Sequence, residues 1–379
     1  MIKKMLVGLV MMFFIVQGMS LVAADKNEKP TLKEVAKLYE SAGKAMKAKK
    51  FDEAIVEYQK AIELEPNYGP SYLGLALVLR EQKKYGESIE NIEKMLKINP
   101  NAPMALQAYR EILYMAGNEE YQKQDFQKSN GFFIKFLGIA GIETSAKKPA
   151  ENATYLVGLN SYFLKEFDKS IEYFTKFAGF PGIETDAAPL YQITNYMLGL
   201  CYTQLAQPEK ANSFLQKFID MNKDPANQQI PLAHYLLGSN NYARLNTEVD
   251  KVSKDMLEAV NKEAEALNAD TKMKPKDREA AIAKHKEKVD QMKADVKKKQ
   301  AELASLRKDV VPYLLKAIEL RPDIEDAYVK LGNYYYLAGD LENALKTYKT
   351  IKEKFPNSPD IAAYNNFIQK VEKDIANKK

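Results

Sequence analysis

Phe51-Asp52-Glu53-Ala54-Ile55-Val56-Glu57-Tyr58-Gln59-Lys60-Ala61-Ile62-Glu63-Leu64-Glu65-Pro66-Asn67 is followed by a second stretch of the same design, Tyr85-Gly86-Glu87-Ser88-Ile89 through Asn99-Pro100-Asn101. Pro66 and Pro100 stand 34 residues apart, and near the other end Pro322 and Pro356 are again 34 apart. A fixed period of this length marks a stacked supersecondary unit rather than a single closed core.

These spacings resemble the tetratricopeptide repeat family, whose unit is a helix–turn–helix of about 34 residues. The resemblance covers most of the chain after its first residues, apart from one insertion. It implies a small residue on the first helix of each pair against a small residue twelve positions later on the second. Ala42/Ala54, Ala76/Ser88, Gly117/Ser129, Gly158/Ser170, Gly199/Ala211 and Gly332/Ala344 all keep that separation of 12. The physical reason is close approach, since a bulky side chain would push the two helices apart. A glycine inside a helix costs about 0.5–1 kcal/mol relative to alanine, so its recurrence needs a packing reason. The expected fold is all-α: a right-handed α-solenoid of about seven helix-turn-helix repeats, with an inserted antiparallel helical hairpin and a C-terminal capping helix.

Seven helical pairs are expected at approximately 35–68, 69–102, 103–149, 150–190, 191–228, 229–324 with the insertion, and 325–358. Thr31-Leu32-Lys33-Glu34 after Pro30 reads as a capping box that opens the first helix. The middle of the array departs from the family length, because Gly117, Gly158 and Gly199 are 41 apart. Two similar loops, Gly141-Ile142-Glu143-Thr144 and Gly182-Ile183-Glu184-Thr185, carry the excess and are expected to protrude from the helix ends. Residues 359–379 form one more amphipathic helix, with Ile361, Tyr364, Ile368 and Val371 on the face that closes the stack.

The sixth pair is interrupted. Gly238 opens it, yet the position equivalent to its small partner is Val310, 72 residues on instead of 12. Some 60 residues are therefore inserted. The expected domains are a signal peptide (1–24), repeats one to five with the first helix of the sixth (25–245), the hairpin (246–309), the second helix of the sixth repeat with the seventh (310–358), and the cap (359–379). Within the hairpin, Ile282, His285, Val289, Met292, Val296, Lys299, Leu303, Leu306 and Val310 follow alternating steps of 3 and 4, a heptad seam. Tyr242, Leu245, Val249, Val252, Met256, Ala259, Glu263 and Ala266 do the same on the other arm. Pro312 is expected to kink the return helix. Lys272, Lys274, Lys276, Arg278 and Lys284 make the tip basic, suited to membrane-surface contact with anionic lipid or to an acidic protein; a solvated face is the plainer reading.

The chain opens with Met1-Ile2-Lys3-Lys4, an apolar run from Met5 to Val16 that continues to Leu21, and Val22-Ala23-Ala24 before polar Asp25. This is the pattern of a secretory signal peptide with cleavage after Ala24, and it places the protein in the periplasm. The alternative is an uncleaved helix anchoring it in the inner membrane. No cysteine lies near that position, which excludes a lipoprotein anchor. The formal charge is +5 over 379 residues, too near neutral to argue for nucleic acid.

The first helices share a further motif. Tyr114, Gly117 and Tyr121 recur as Tyr155, Gly158 and Tyr162 and as Tyr235, Gly238 and Tyr242, with partial copies at Tyr196 and Tyr336. Residues i and i+7 lie on one helix face. The resemblance implies that this face lines the concave side, so these eight tyrosines form a ladder, with Asn160, Asn195, Asn240 and Asn333 as nearby amides for a peptide backbone. Packing between helices is the plain alternative for the same rings. One family subtype grips a C-terminal carboxylate with Lys and Asn at set positions. The matching positions here are mostly Tyr, Leu and Gly, so that activity is not carried over. A Gly-rich phosphate loop, paired Cys or His ligands and a nucleophile–base pair are all missing, and Cys201 sits in an apolar helical stretch. Neither an enzyme nor a cofactor is expected. The reading is a non-catalytic protein–protein interaction scaffold of the bacterial cell envelope that binds a protein or peptide, with a periplasmic chaperone or assembly factor as the alternative.

Overall fold

The computed structural model describes residues 30–139, 147–222, 224, 226–269, 274–306 and 308–377. The expected signal peptide, the 141–144 loop and Lys272 lie outside the described residues. Among those described, the chain is an all-α array of 17 helices with no strand. Its contacts divide it into two units, Met1–Ala153 and Thr154–Lys379.

The first unit holds α1 (Pro30–Lys47), α2 (Phe51–Leu64), α3 (Gly69–Glu81), α4 (Tyr85–Ile98), α5 (Pro103–Gln122), α6 (Phe126–Leu137) and the start of α7 (Lys147–Phe163). Each helix from α1 to α5 packs on the one after it. Helix α1 begins at Pro30, one residue before the expected cap, a difference within the normal fraying of helix ends. Ala42, Ala54, Tyr58, Leu75, Val78 and Leu79 form its first core.

The second unit holds the rest of α7, then α8 (Phe167–Ala178), α9 (Ile183–Asp186), α10 (Ala188–Gln204), α11 (Pro208–Met221), α12 (Gln229–Ala269), α13 (Pro275–Leu306), α14 (Val310–Leu320), α15 (Glu325–Leu337), α16 (Leu341–Lys354) and α17 (Ile361–Ala376). The loop at Gly182 does not protrude as expected. Gly182 takes a positive φ of 76° and starts the single turn α9, which tucks Ile183 into the core at 0% exposure. Helix α17 buries Tyr364, Ile368 and Val371 against the end of the stack.

The spacing of twelve is a direct contact. The hydroxyls of Ser88, Ser129 and Ser170 donate to the carbonyls of Ala76, Gly117 and Gly158 at 2.6, 2.9 and 2.8 Å. A serine here stays small while satisfying its own buried polar atom. Each glycine also seats a large side chain from the second helix. A side-chain carbon added at Gly117, Gly158, Gly199 or Gly332 would stand within 3.0 Å of Phe133, Phe174, Leu215 or Tyr348.

The turn between paired helices is equally regular. Lys49, Lys83, Gln124, Lys165, Ala206 and Gly339 all have φ between 53° and 77°. Each lies seven residues after the small residue of its first helix. In the first, the N–H of Lys50 donates to Ala45 O and the N–H of Lys49 to Met46 O, both at 2.9 Å. This is the Schellman C-terminus, which ties off two orphan carbonyls. It recurs at all six positions.

The sixth pair omits that turn. The residue seven after Gly238 is Leu245, which is helical and fully buried with Val249, Ala304, Val310 and Leu314. The helix therefore runs on for 41 residues as α12. Helix α13 returns antiparallel to it, with Gln300 donating to Ser253 Oγ at 3.4 Å and Lys288 paired to Glu263 at 2.6 Å. Tyr334 donates to Ala304 O at 2.8 Å and fixes the root of α13 to α15. Three expected seam residues turn outward, Ala266 on α12 among them. Ile282 and Lys299 are exposed, and Ala281 and Gln300 take the inward places. Pro312 introduces no kink into a running helix. Helix α13 ends at Leu306, and Pro312 falls in the first turn of α14, where no backbone donor is required.

Candidate interaction surface

Tyr114 and Tyr121 lie on α5 in the first unit. In the second unit, Tyr155 and Tyr162 lie on α7, Tyr196 on α10, Tyr235 and Tyr242 on α12, and Tyr336 on α15. All are half-buried except Tyr196, which is buried. The rings lean on the second helix of their own pair. Tyr114 meets Phe133 and Phe136 at 5.9 and 5.5 Å between ring centres, and Tyr155 meets Phe174 and Phe177 at 5.6 and 5.3 Å. Tyr196 meets Phe218 at 5.1 Å. These phenylalanines are fully buried and hold Tyr155 edge-on and Tyr114 and Tyr196 at a tilt. The sequence signal for them is a large residue 16 and 19 positions after each glycine. Farther along, Tyr121 meets Phe126 at 6.1 Å and Tyr162 meets Phe167 at 5.9 Å.

At the far end of the second unit the hydroxyls are committed inside the protein. Tyr235 donates to the Asp326 carboxylate, which also holds the Lys330 ammonium. Lys330 Nζ stands 5.5 Å over the Tyr235 ring. Burial first, and then the Asp326 carboxylate, push the Tyr235 phenol above its ordinary value. Burial pushes the Tyr242 phenol above its ordinary value, with the nearby Asn246 and Asn333 amides pulling the other way. Tyr336 donates to Asp374 at 2.8 Å, and its phenol is pushed up to about 12 by burial and then by that carboxylate. Asp326, Lys330 and Asp374 were not legible as part of this face, because 38 to 95 residues separate them from the tyrosines they meet.

The four asparagines also look inward. Asn160, Asn195 and Asn240 are buried. Asn195 donates to Tyr191 O at 2.8 Å, and Asn240 donates to Thr203 Oγ1 at 3.1 Å and to Asn212 Oδ1 at 3.0 Å. Asn212 in turn donates to Asn241 Oδ1 at 2.6 Å, which links α11 to α12 through a buried amide network. Asn333 accepts from the Tyr348 hydroxyl at 2.7 Å. On the hairpin, Lys274, Lys276 and Lys284 are exposed and Arg278 is half-buried.

Cys201 is fully buried and its thiol donates to Ser170 Oγ at 3.3 Å. Burial pushes the thiol up to about 11, the reverse of what a nucleophile needs. Among the described residues no cluster of His, Cys, Asp and Glu is arranged to hold a metal ion. No helix among them is long and apolar enough to cross a membrane.

Three stretches, residues 45–112, 194–225 and 326–358, match profiles of the tetratricopeptide repeat. A segment of 93 residues is 35% identical to stress-induced-phosphoprotein 1 of Caenorhabditis elegans, covering 24% of this chain and 29% of that protein's length. Of solved structures, the C-terminal part of a repeat-containing protein from Cytophaga hutchinsonii is 15% identical, with 86% of this chain and 98% of that one covered and a TM-score of 0.40. A MamA protein is 19% identical, covering 52% of this chain and 97% of its own, with a TM-score of 0.32. Over those three stretches the chain is similar to the tetratricopeptide repeat, and the small-residue contact is repeated from pair to pair.

Proposed function

We propose that this protein is a non-catalytic interaction scaffold of the bacterial cell envelope. It is exported by an N-terminal signal peptide cleaved after Ala24 and takes a protein or peptide segment along the tyrosine-bearing faces of its first helices. Repeats of this kind bind proteins and peptides and are typically non-catalytic. The hairpin between Leu245 and Val310 is an arm inserted into the sixth repeat.

The observation that carries this reading is the bracing of Tyr155 and Tyr162. Each is half-buried and held edge-on by phenylalanines of α8. An aromatic ring already fixed by its neighbours loses little entropy when a partner covers it. The buried asparagines support the walls of this face instead of contacting the ligand.

The test replaces Tyr155, Tyr162 and Tyr242 with Ala in the full chain and repeats affinity capture from envelope extracts. Loss of an anchor of this type costs about 1–3 kcal/mol, roughly tenfold or more in affinity. Unchanged capture, with helical circular dichroism retained, removes the face from consideration. One stable set of partners is the expected catch, and a broad range of unfolded clients would favour a chaperone instead. N-terminal sequencing of the envelope fraction should begin at Asp25; a full-length cytoplasmic chain overturns the location.

A further inference from the structure

The antiparallel pair formed by α12 beyond Leu245 and α13 carries more apolar surface than it covers. At its root Leu245, Val249 and Ala304 are buried. Farther out Val252, Met256, Val289 and Met292 are only half-buried. Leu257 and Ile282 stand 58% and 56% exposed. Two helices alone cannot hide stripes of this width, whereas a four-helix bundle can.

The charges say what covers them. Residues 246–269 of α12 carry six acidic and three basic side chains, while α13 carries nine basic and six acidic. The acidic arm and the basic arm lie side by side, joined by Glu263 and Lys288. An occupant that fits must itself offer a basic helix beside an acidic one, with apolar residues between. The same hairpin on another molecule has that character. A two-fold rotation about an axis along the pair places each acidic arm between two basic arms, its own and the partner's, and leaves like-charged arms on the diagonals. An anionic lipid surface would match α13 alone and would repel the acidic arm beside it.

We propose that this hairpin is a self-association element: two copies of the chain join through α12 beyond Leu245 and α13 into a four-helix bundle. Asp255, Glu258, Lys297 and Lys298 are exposed and set which arms meet.

Sedimentation of the full chain at micromolar concentration should give a dimer that loosens as salt rises. The pair D255K/E258K and the pair K297E/K298E should each weaken it at least tenfold. Mixing the two reversed proteins should restore a mixed dimer, with far-ultraviolet circular dichroism unchanged throughout. Should a reversed arm lose helix, L257C gives an independent reading. Cys201 is buried, so a bifunctional thiol reagent finds only the new cysteine, and cross-linked dimer is expected. A wild-type chain that stays monomeric, including one that binds anionic vesicles as a monomer, overturns the proposal. So does a dimer indifferent to both reversals, or an L257C chain that does not cross-link.

Discussion

Gly238 lies against Leu314 as Gly332 lies against Tyr348: a side-chain carbon added at either glycine would come within 2.6 Å of the facing residue. The first contact spans 76 residues and the second 16, so one packing relationship is kept across 60 additional residues. Crowding this contact has a predictable cost. G238A should destabilise the protein by about 1–3 kcal/mol, since Leu314 and its backbone nitrogen must give way. Gly131 in α6 has nothing within 4 Å of the same added carbon. G131A should therefore stabilise by about 0.5–1 kcal/mol through helix propensity alone. Thermal melts of the two variants should shift in opposite directions.

The turns offer a gain. Lys83 and Lys165 hold φ at 59° and 61°, where a β-carbon crowds the following carbonyl. K83G and K165G should each raise stability by about 0.5–1 kcal/mol, the relief of that clash less the added freedom of the unfolded chain. K83V should lower it, since a β-branched residue tolerates this region worst. Denaturant midpoints at matched slope read these changes.

Removing the small-residue hydrogen bond should cost less than removing the smallness. S129A deletes one buried bond and should cost about 0.5–1.5 kcal/mol. Ala54, Ala211 and Ala344 occupy the equivalent place elsewhere without that bond. S129L inserts bulk between α5 and α6 and should cost more than S129A, and the loss of near-ultraviolet circular dichroism should track it.

Stability should fall on the alkaline side. Burial raises the Cys201 thiol from 9.0 to about 11 and the Tyr196 phenol from 10.0 to about 12. Both groups are neutral when protonated, so the folded protein holds protons that the unfolded chain has already released. Their contribution is complete below pH 9 and is lost as pH rises through 9–12. Melting temperature should drop over that window, and Y196F should flatten the upper part of the fall. Alkylation of Cys201 at pH 8 should proceed only as fast as the protein opens.

The repeat was legible because it rests on smallness at a fixed spacing, which residue identity states openly. The pairs from Ala42/Ala54 to Gly332/Ala344 and the interruption after Gly238 follow from that alone. The turns were not legible, since five of the six left-handed positions carry Lys, Gln or Ala in place of Gly. Their conformation is imposed by the two helices that must pack at the small-residue contact. On the hairpin, periodicity selects Ile282 and Lys299, while the fold turns Ala281 and Gln300 inward. Alanine carries too little hydrophobic signal to mark a face by itself. The tyrosines share a helical period that marks one face, but nothing in that period points to their supports. Phe174 and Phe177 lie on the next helix, and Asp326 lies 91 residues from Tyr235. Asn195 and Asn240 read as free amides by type, and only the packed helices reveal their partners.

Leu245 replaces a corner with a straight path, and the result is mechanical. Helix α12 extends for about 60 Å at 1.5 Å per residue, with one part wedged at Gly238 and the other reaching outward. No joint separates the two. A load applied at the outer end of this lever is therefore felt as torque at its fulcrum, where Leu314 grips the glycine.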